Sequence, residues 1–179
     1  MRKVLYIFGL LTDADVEAMV RMGTRRRLRG EETVIKEGEP TDSIILLLEG
    51  EFLVTSKSVG QIARLGVGEI VGEMSLVDSA LPSATVTTHG ECLALFLNKA
   101  VLLQKIDEDT AFGSRFYRAL AILLADRLRA TNWPRPVSED GIGVETEILK
   151  DELDDGILDT VSSAGERFQR MLKVLTGQP

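Results

Sequence analysis

The sequence is poor in the residues that most often carry chemistry. It has one cysteine, Cys92, and one histidine, His89, among 179 residues. A single thiol excludes an intramolecular disulfide and any multi-thiolate zinc or iron–sulfur site. A single imidazole excludes a His-rich metal site. No apolar run approaches the roughly 18 residues of a spanning helix, so no membrane span is expected. Positive charge is also scarce: 21 Lys and Arg against 28 Asp and Glu leave a net charge of −7. That balance argues against the bulk electrostatics of nucleic-acid binding, and no specific duplex-DNA contact is expected. The lone cysteine fits a reducing, cytoplasmic setting.

What is present reads as one folded unit followed by a tail. Met1-Arg2-Lys3 and the apolar Val4–Leu11 stretch resemble the start of a signal peptide, but no small-x-small cleavage site follows. Thr12-Asp13-Ala14-Asp15 instead gives a helix N-cap with acids in the first turn, and Val16, Met19 and Val20 supply an apolar stripe. A docked helix over 12–22, ending at Gly23, is expected. Arg25, Arg26, Arg27 and Arg29 then form a basic run, read as the solvated face of a strand.

From Thr33 to Leu97 short apolar runs alternate with glycines. Strands are expected at 33–35, 43–48, 52–55, 61–65, 85–88 and 92–97. Many short strands with glycine turns imply a sandwich or small barrel. From Phe112 the period becomes helical: Phe112, Phe116, Leu120, Leu123, Leu124 and Leu128 share a broad face, with Tyr117, Ala121 and Ala125 on a second edge. Trp133-Pro134-Arg135-Pro136 breaks this helix. Residues 137–179 hold ten acids and four bases, with apolar spacing from Ile148 to Leu175 that predicts one or two amphipathic helices. The acids Asp151, Glu152, Asp154 and Asp155 lack the spacing of a calcium loop.

One stretch carries most of the functional signal: Gly66-Val67-Gly68-Glu69-Ile70-Val71-Gly72-Glu73-Met74-Ser75-Leu76. It ends a strand in a glycine turn and starts a short helix, where free N–H groups favour an anion and glycine permits close approach. Glu73 is out of place at an anion site unless it grips something else, such as a sugar hydroxyl.

Together with Gly38-Glu39-Pro40-Thr41-Asp42-Ser43-Ile44-Ile45 and Leu48-Glu49-Gly50-Glu51, this stretch resembles the signature turns of the cyclic-nucleotide-binding domains of the cAMP-receptor-protein, Fnr and protein-kinase-A regulatory-subunit families. The resemblance runs from about Leu11 to Asn132. It implies a mainly β fold: an eight-stranded β-roll, jelly-roll-like, flanked by an N-terminal helix and a C-terminal helix over 112–129 that forms a homodimer seam and covers the ligand. Domain boundaries follow at 1–132, with 133–179 an acidic helical tail that lacks the basic recognition helix of a helix-turn-helix.

The resemblance also assigns the site. Gly72 opens the phosphate-binding cassette, Glu73 holds the ribose 2′-hydroxyl, Met74 and Ser75 offer N–H groups to the cyclic phosphate, and Ser83 and Ala84 close around it. The family's phosphate-binding arginine falls at Pro82, and the chain has no arginine between Gly72 and Asn98. Arg64, on the preceding strand, is the cation available to substitute. The function so implied is a non-enzymatic regulatory sensor. Cyclic nucleotide, cAMP in type, binds in the roll, and the C-terminal helix transmits binding to a partner protein. The alternative is a degenerate roll serving as an interaction module. His89 beside a turn glycine and Cys92 at a strand read as an exposed turn residue and a buried thiol rather than a catalytic pair.

Overall fold

The computed structural model describes residues 8–78, 80–132 and 165–173. Helix α1 (Asp13–Met22) begins where the sequence places it. The Thr12 hydroxyl accepts from the Asp15 amide at 3.2 Å, and the Asp15 carboxylate accepts from the Thr12 amide at 2.7 Å. This is a capping box with aspartate in the usual Glu/Gln position. Gly23 ends the helix with Leu95 pressed against its Cα. A Cβ there would lie 2.5 Å from Leu95 Cδ1.

Six strands follow: β1 (Thr24–Leu28), β2 (Thr33–Ile35), β3 (Ser43–Ser56), β4 (Gly60–Leu65), β5 (Ile70–Val71) and β6 (Thr85–Asn98), with helix α2 (Met74–Val77) between the last two. All pairings are antiparallel, in the order β1-β6-β3-β4, with β2 also on β6 and β5 on β3. The expected pairs of strands at 43–48 and 52–55, and at 85–88 and 92–97, each prove to be one long strand. Both are interrupted near a positive-φ glycine, Gly50 on β3 and Gly90 on β6. Their register shifts across the same place, between Leu47 and Glu51. Two 14-residue strands bent together supply four strand halves. The six strands thus make the eight-stranded roll, mainly antiparallel, with helices on its flank.

Two apolar layers hold it together. Along β3, Ile44, Leu46 and Leu48 face the helices while Ile45 and Leu47 face the lumen. Burial on both faces explains why this strand reads as an unbroken apolar run. The lumen is packed with Leu28, Ile35, Phe52, Leu65, Val71, Val86, Cys92 and Ala94. The outer layer is covered by α1, by α3 (Lys99–Glu108) and by α4 (Thr110–Asn132). Helix α3, capped by Asn98 Oδ1 accepting from the Ala100 and Val101 amides, has no counterpart in the sequence reading.

The basic run lies on β1, an edge strand, with Arg25, Arg26 and Arg27 exposed. Arg26 pairs with Glu32 and stacks 4.5 Å over the Phe96 ring. The short helical segment 165–173, part of the stretch expected as a tail, joins the same outer core through Phe168 and Met171. Arg167 there donates to the carbonyls of Phe8, Gly9 and Leu11 and to Asp13, so it caps the end of the first described turn. The breaker at 133–136 and the acids at 151–155 lie outside the described residues.

Candidate functional site

The cassette begins at Gly72, where φ is +83° and a Cβ would stand 2.6 Å from the Ser43 carbonyl oxygen. Both facts demand glycine. The close approach is made by β3 and by Ile35, whose Cδ1 lies 3.2 Å from that Cβ position. Gly72 therefore lets the cassette lie flush on the roll.

Glu73 follows with helical dihedrals but without capping α2. Its carboxylate is only 2% exposed and is hydrogen-bonded by Arg127 Nη1 of α4. The same guanidinium donates to the Ile70 carbonyl and stands 3.6 Å from Glu69 Oε2. The acid expected to hold a sugar hydroxyl is thus joined to the exit helix. Arg127 went unnamed in the sequence reading, because nothing local links residue 127 to residue 73. The one available signal was a carboxylate in an apolar turn, which requires a cation from elsewhere.

Met74 is exposed and Ser75 half-buried. The Ser75 hydroxyl donates to the Gly72 carbonyl at 3.2 Å and accepts from Lys99 Nζ at 2.5 Å. Lys99 also donates to the Thr41 carbonyl at 2.8 Å. Burial lowers the Lys99 pKa, and the charges of Asp42 and Glu73 partly oppose that. Across the site, Ser83 is exposed, and Pro82 and Ala84 are half-buried. The Pro82 carbonyl accepts from the Gly38 amide at 2.9 Å, and Thr85 Oγ1 accepts from the Glu37 amide at 3.1 Å. The two halves of the expected site meet around Ile35, which packs beneath Gly72 and pairs with Val86.

Two expectations are corrected. Arg64 does not substitute for the missing arginine: it alternates with the lumen-facing Ala63 and pairs at 3.0 Å with Glu51. The wide stripe of α4 predicts packing beyond the chain's own roll, yet most of it is covered within this chain. Phe116 and Leu120 are 4% and 5% exposed, packed in this chain's own core, and Leu124 lies partly buried against it. His89 is exposed opposite Glu51, while Cys92 is buried with its thiol toward the Glu51 carbonyl. No group of three or more His, Cys, Asp or Glu suited to a metal ion occurs among the described residues. No described helix is long and apolar enough to cross a membrane.

Residues 25–109 match the model of the cyclic nucleotide-binding domain. The matched residues span the roll and α3, and this stretch is what resembles that family. A cyclic nucleotide-binding domain from Methylobacillus flagellatus shares its fold, with TM-score 0.64 and 24% identity, covering 72% of this chain and 78% of that one. The catabolite activator protein of Thermus thermophilus superposes over 97% of this chain and 87% of its own, with TM-score 0.61 and 20% identity. Among curated relatives, glutaminase 2 of Bradyrhizobium diazoefficiens is 28% identical over 149 residues, 73% of this chain and 24% of its own length. The chain spans about a quarter of the length of the curated relatives it matches.

Proposed function

We propose that this chain is a regulatory module whose roll takes a cyclic nucleotide, cAMP in type, against the cassette Gly72–Ala84 and relays it through α4 to a partner protein. The observation that carries this reading is the buried Glu73–Arg127 pair. It makes the cassette acid and the exit helix members of one ion pair. A ligand hydroxyl that claims Glu73 must share or release Arg127, and so shifts α4. Glu73 serves the ribose hydroxyl, the amides of Met74 and Ser75 serve the phosphate, and Ser83 and Ala84 close around it. The match to about a quarter of a longer protein named glutaminase 2 supports a module that works together with other domains.

Pro82 favours a second reading, in which the roll binds no nucleotide and only mediates assembly. A cyclic phosphodiester brings a full negative charge, and proline offers neither a cation nor an N–H. Calorimetry with cAMP, cGMP and cyclic dinucleotides on the wild type and on Pro82→Arg separates the two. The regulatory reading expects binding that strengthens ten- to a hundredfold with the restored guanidinium. No binding by the folded Pro82→Arg protein favours the assembly reading.

A homodimer through α4 is part of this proposal, on an edge that shares only Leu124 with the covered part of the broad face. Tyr117, Ala121, Leu124 and Leu128 recur at spacings of four, three and four, the period of a coiled-coil seam. Tyr117 is 40% and Leu128 61% exposed. Light scattering at micromolar concentration is expected to give a dimer, and Leu128→Glu a monomer. The net charge of −7 supports a partner other than duplex DNA. A gel shift at physiological salt that resists scrambled competitor overturns that part. The single buried thiol suits a reducing cytoplasm.

A further inference from the structure

Position 82 leaves the cassette without the guanidinium the resemblance assigns there. Arg64 is turned away to Glu51, and Arg127 is engaged by Glu73, Glu69 and the Ile70 carbonyl. A second cation nevertheless reaches the cassette. Lys99 opens α3 directly after β6, and its ammonium crosses to Ser75 Oγ and to the Thr41 carbonyl. Its backbone amide donates to the Asp42 carbonyl at 2.7 Å. One residue therefore ties the end of β6, the turn before β3 and the cassette together.

The chemistry of that contact is directional. The Ser75 hydroxyl donates its only proton to the Gly72 carbonyl, so its oxygen is left to accept from the ammonium. This fixes Ser75 within the cassette turn. The ammonium has three protons, two of which these contacts use. A lysine acts as a point charge and not as a planar fork. Such a charge attracts an anion through space without dictating which of its oxygens faces it.

We propose that Lys99, through its contact with Ser75, supplies the positive charge missing at position 82. It is a positioning residue: it holds Ser75 and sets the local potential for an anionic ligand. The inference rests on the cassette reading given above.

Calorimetry on the full chain tests it with two probes, cAMP and the uncharged nucleoside adenosine, in wild type, Lys99→Met, Lys99→Arg and Ser75→Ala. Lys99→Met is expected to weaken cAMP about tenfold while leaving adenosine unchanged, because only the charged ligand feels the lost potential. Lys99→Arg is expected to restore cAMP binding to within a few-fold. Ser75→Ala, which keeps the charge, is expected to lose less than Lys99→Met. In the Pro82→Arg background the Lys99→Met loss is expected to shrink, since the two cations then share one task. Equal loss of both probes, or loss of neither, overturns the charge role while leaving the nucleotide reading intact. No binding of cAMP by wild type or by Pro82→Arg overturns the nucleotide reading and this inference with it. If Lys99→Met does not fold, Lys99→Gln, which keeps a donor for Thr41 and Ser75, carries the same comparison.

Discussion

Helix α4 is fastened at both ends by an arginine on a buried carboxylate, yet the two fastenings are built differently. Near its start, Arg115 grips Asp15 with two bonds of 2.7 and 2.8 Å. Twelve residues on, Arg127 grips Glu73 and is shared with Glu69 and the Ile70 carbonyl. Asp15 is also half of a capping box, so it cannot leave Arg115 without exposing the first turn of α1. Glu73 sits before a four-residue helix, between the half-buried Gly72 and the exposed Met74. The same ion pair is therefore a rivet where the acid's backbone is committed and a latch where it is not. Buried charge alone does not distinguish them. The backbone carrying the acid does.

The comparison breaks most directly at the rivet. Arg115→Met leaves a carboxylate buried without its cation and is expected to cost roughly 3 kcal/mol in urea unfolding. A loss below about 1 kcal/mol shows that the capping box alone suffices.

Acid sharpens the same point. Burial raises the Asp15 pKa, but the bonds from Arg115 and Thr12 outweigh it and hold the carboxyl at about 2. A depressed carboxyl adds stability above its unfolded pKa and loses it as pH falls through the folded one. About 2 kcal/mol is therefore expected to disappear between roughly pH 4 and pH 2. The slope in that window is expected to flatten in Arg115→Met, as followed by circular dichroism.

At the latch, Arg127→Met is expected to cost only about 1–2 kcal/mol, because the cassette can turn Glu73 toward water. Hydrogen exchange is expected to rise over residues 70–77 and to stay unchanged over 12–22. Protection lost equally in both regions removes the distinction between rivet and latch. The exposed pair Arg170–Asp13 is the control: Arg170→Ala is expected to move stability by less than about 1 kcal/mol.

How much of this was legible in the sequence depends on the range of each interaction. The start of α1 was readable because Thr12 and Asp15 are three residues apart and satisfy each other. The roll was readable from the glycine turns and from the two-faced burial of β3. The merging of four expected strands into two was not, since Gly50 and Gly90 break the local pattern while the strands continue through a bend. Helix α3 was missed because only Leu102 and Ile106 are buried on it, too few to impose a period. The site was half legible. The turn at Gly72–Ser75 could be read from its own residues, but the cations that touch it, Lys99 and Arg127, lie 24 and 54 residues from their partners. The face of α4 was misjudged because periodicity shows that a stripe is apolar, not whose side chains cover it.

The pairing of β3 with β6 has a consequence for how this chain reaches its fold. Ser43 lies opposite Asn98, and Thr55 opposite Thr85, so every rung joins residues far apart in sequence. The chain between them must be brought round as a closed loop before these rungs can form, an entropic cost that slows nucleation. The cassette is strung inside that loop and contributes no rung to the β3–β6 ladder. Apart from Gly72, which lies against Ser43, its residues make no contact that sets how the two long strands find their register. The ladder, and with it the architecture, is set by β3 and β6 and not by the loop strung between them.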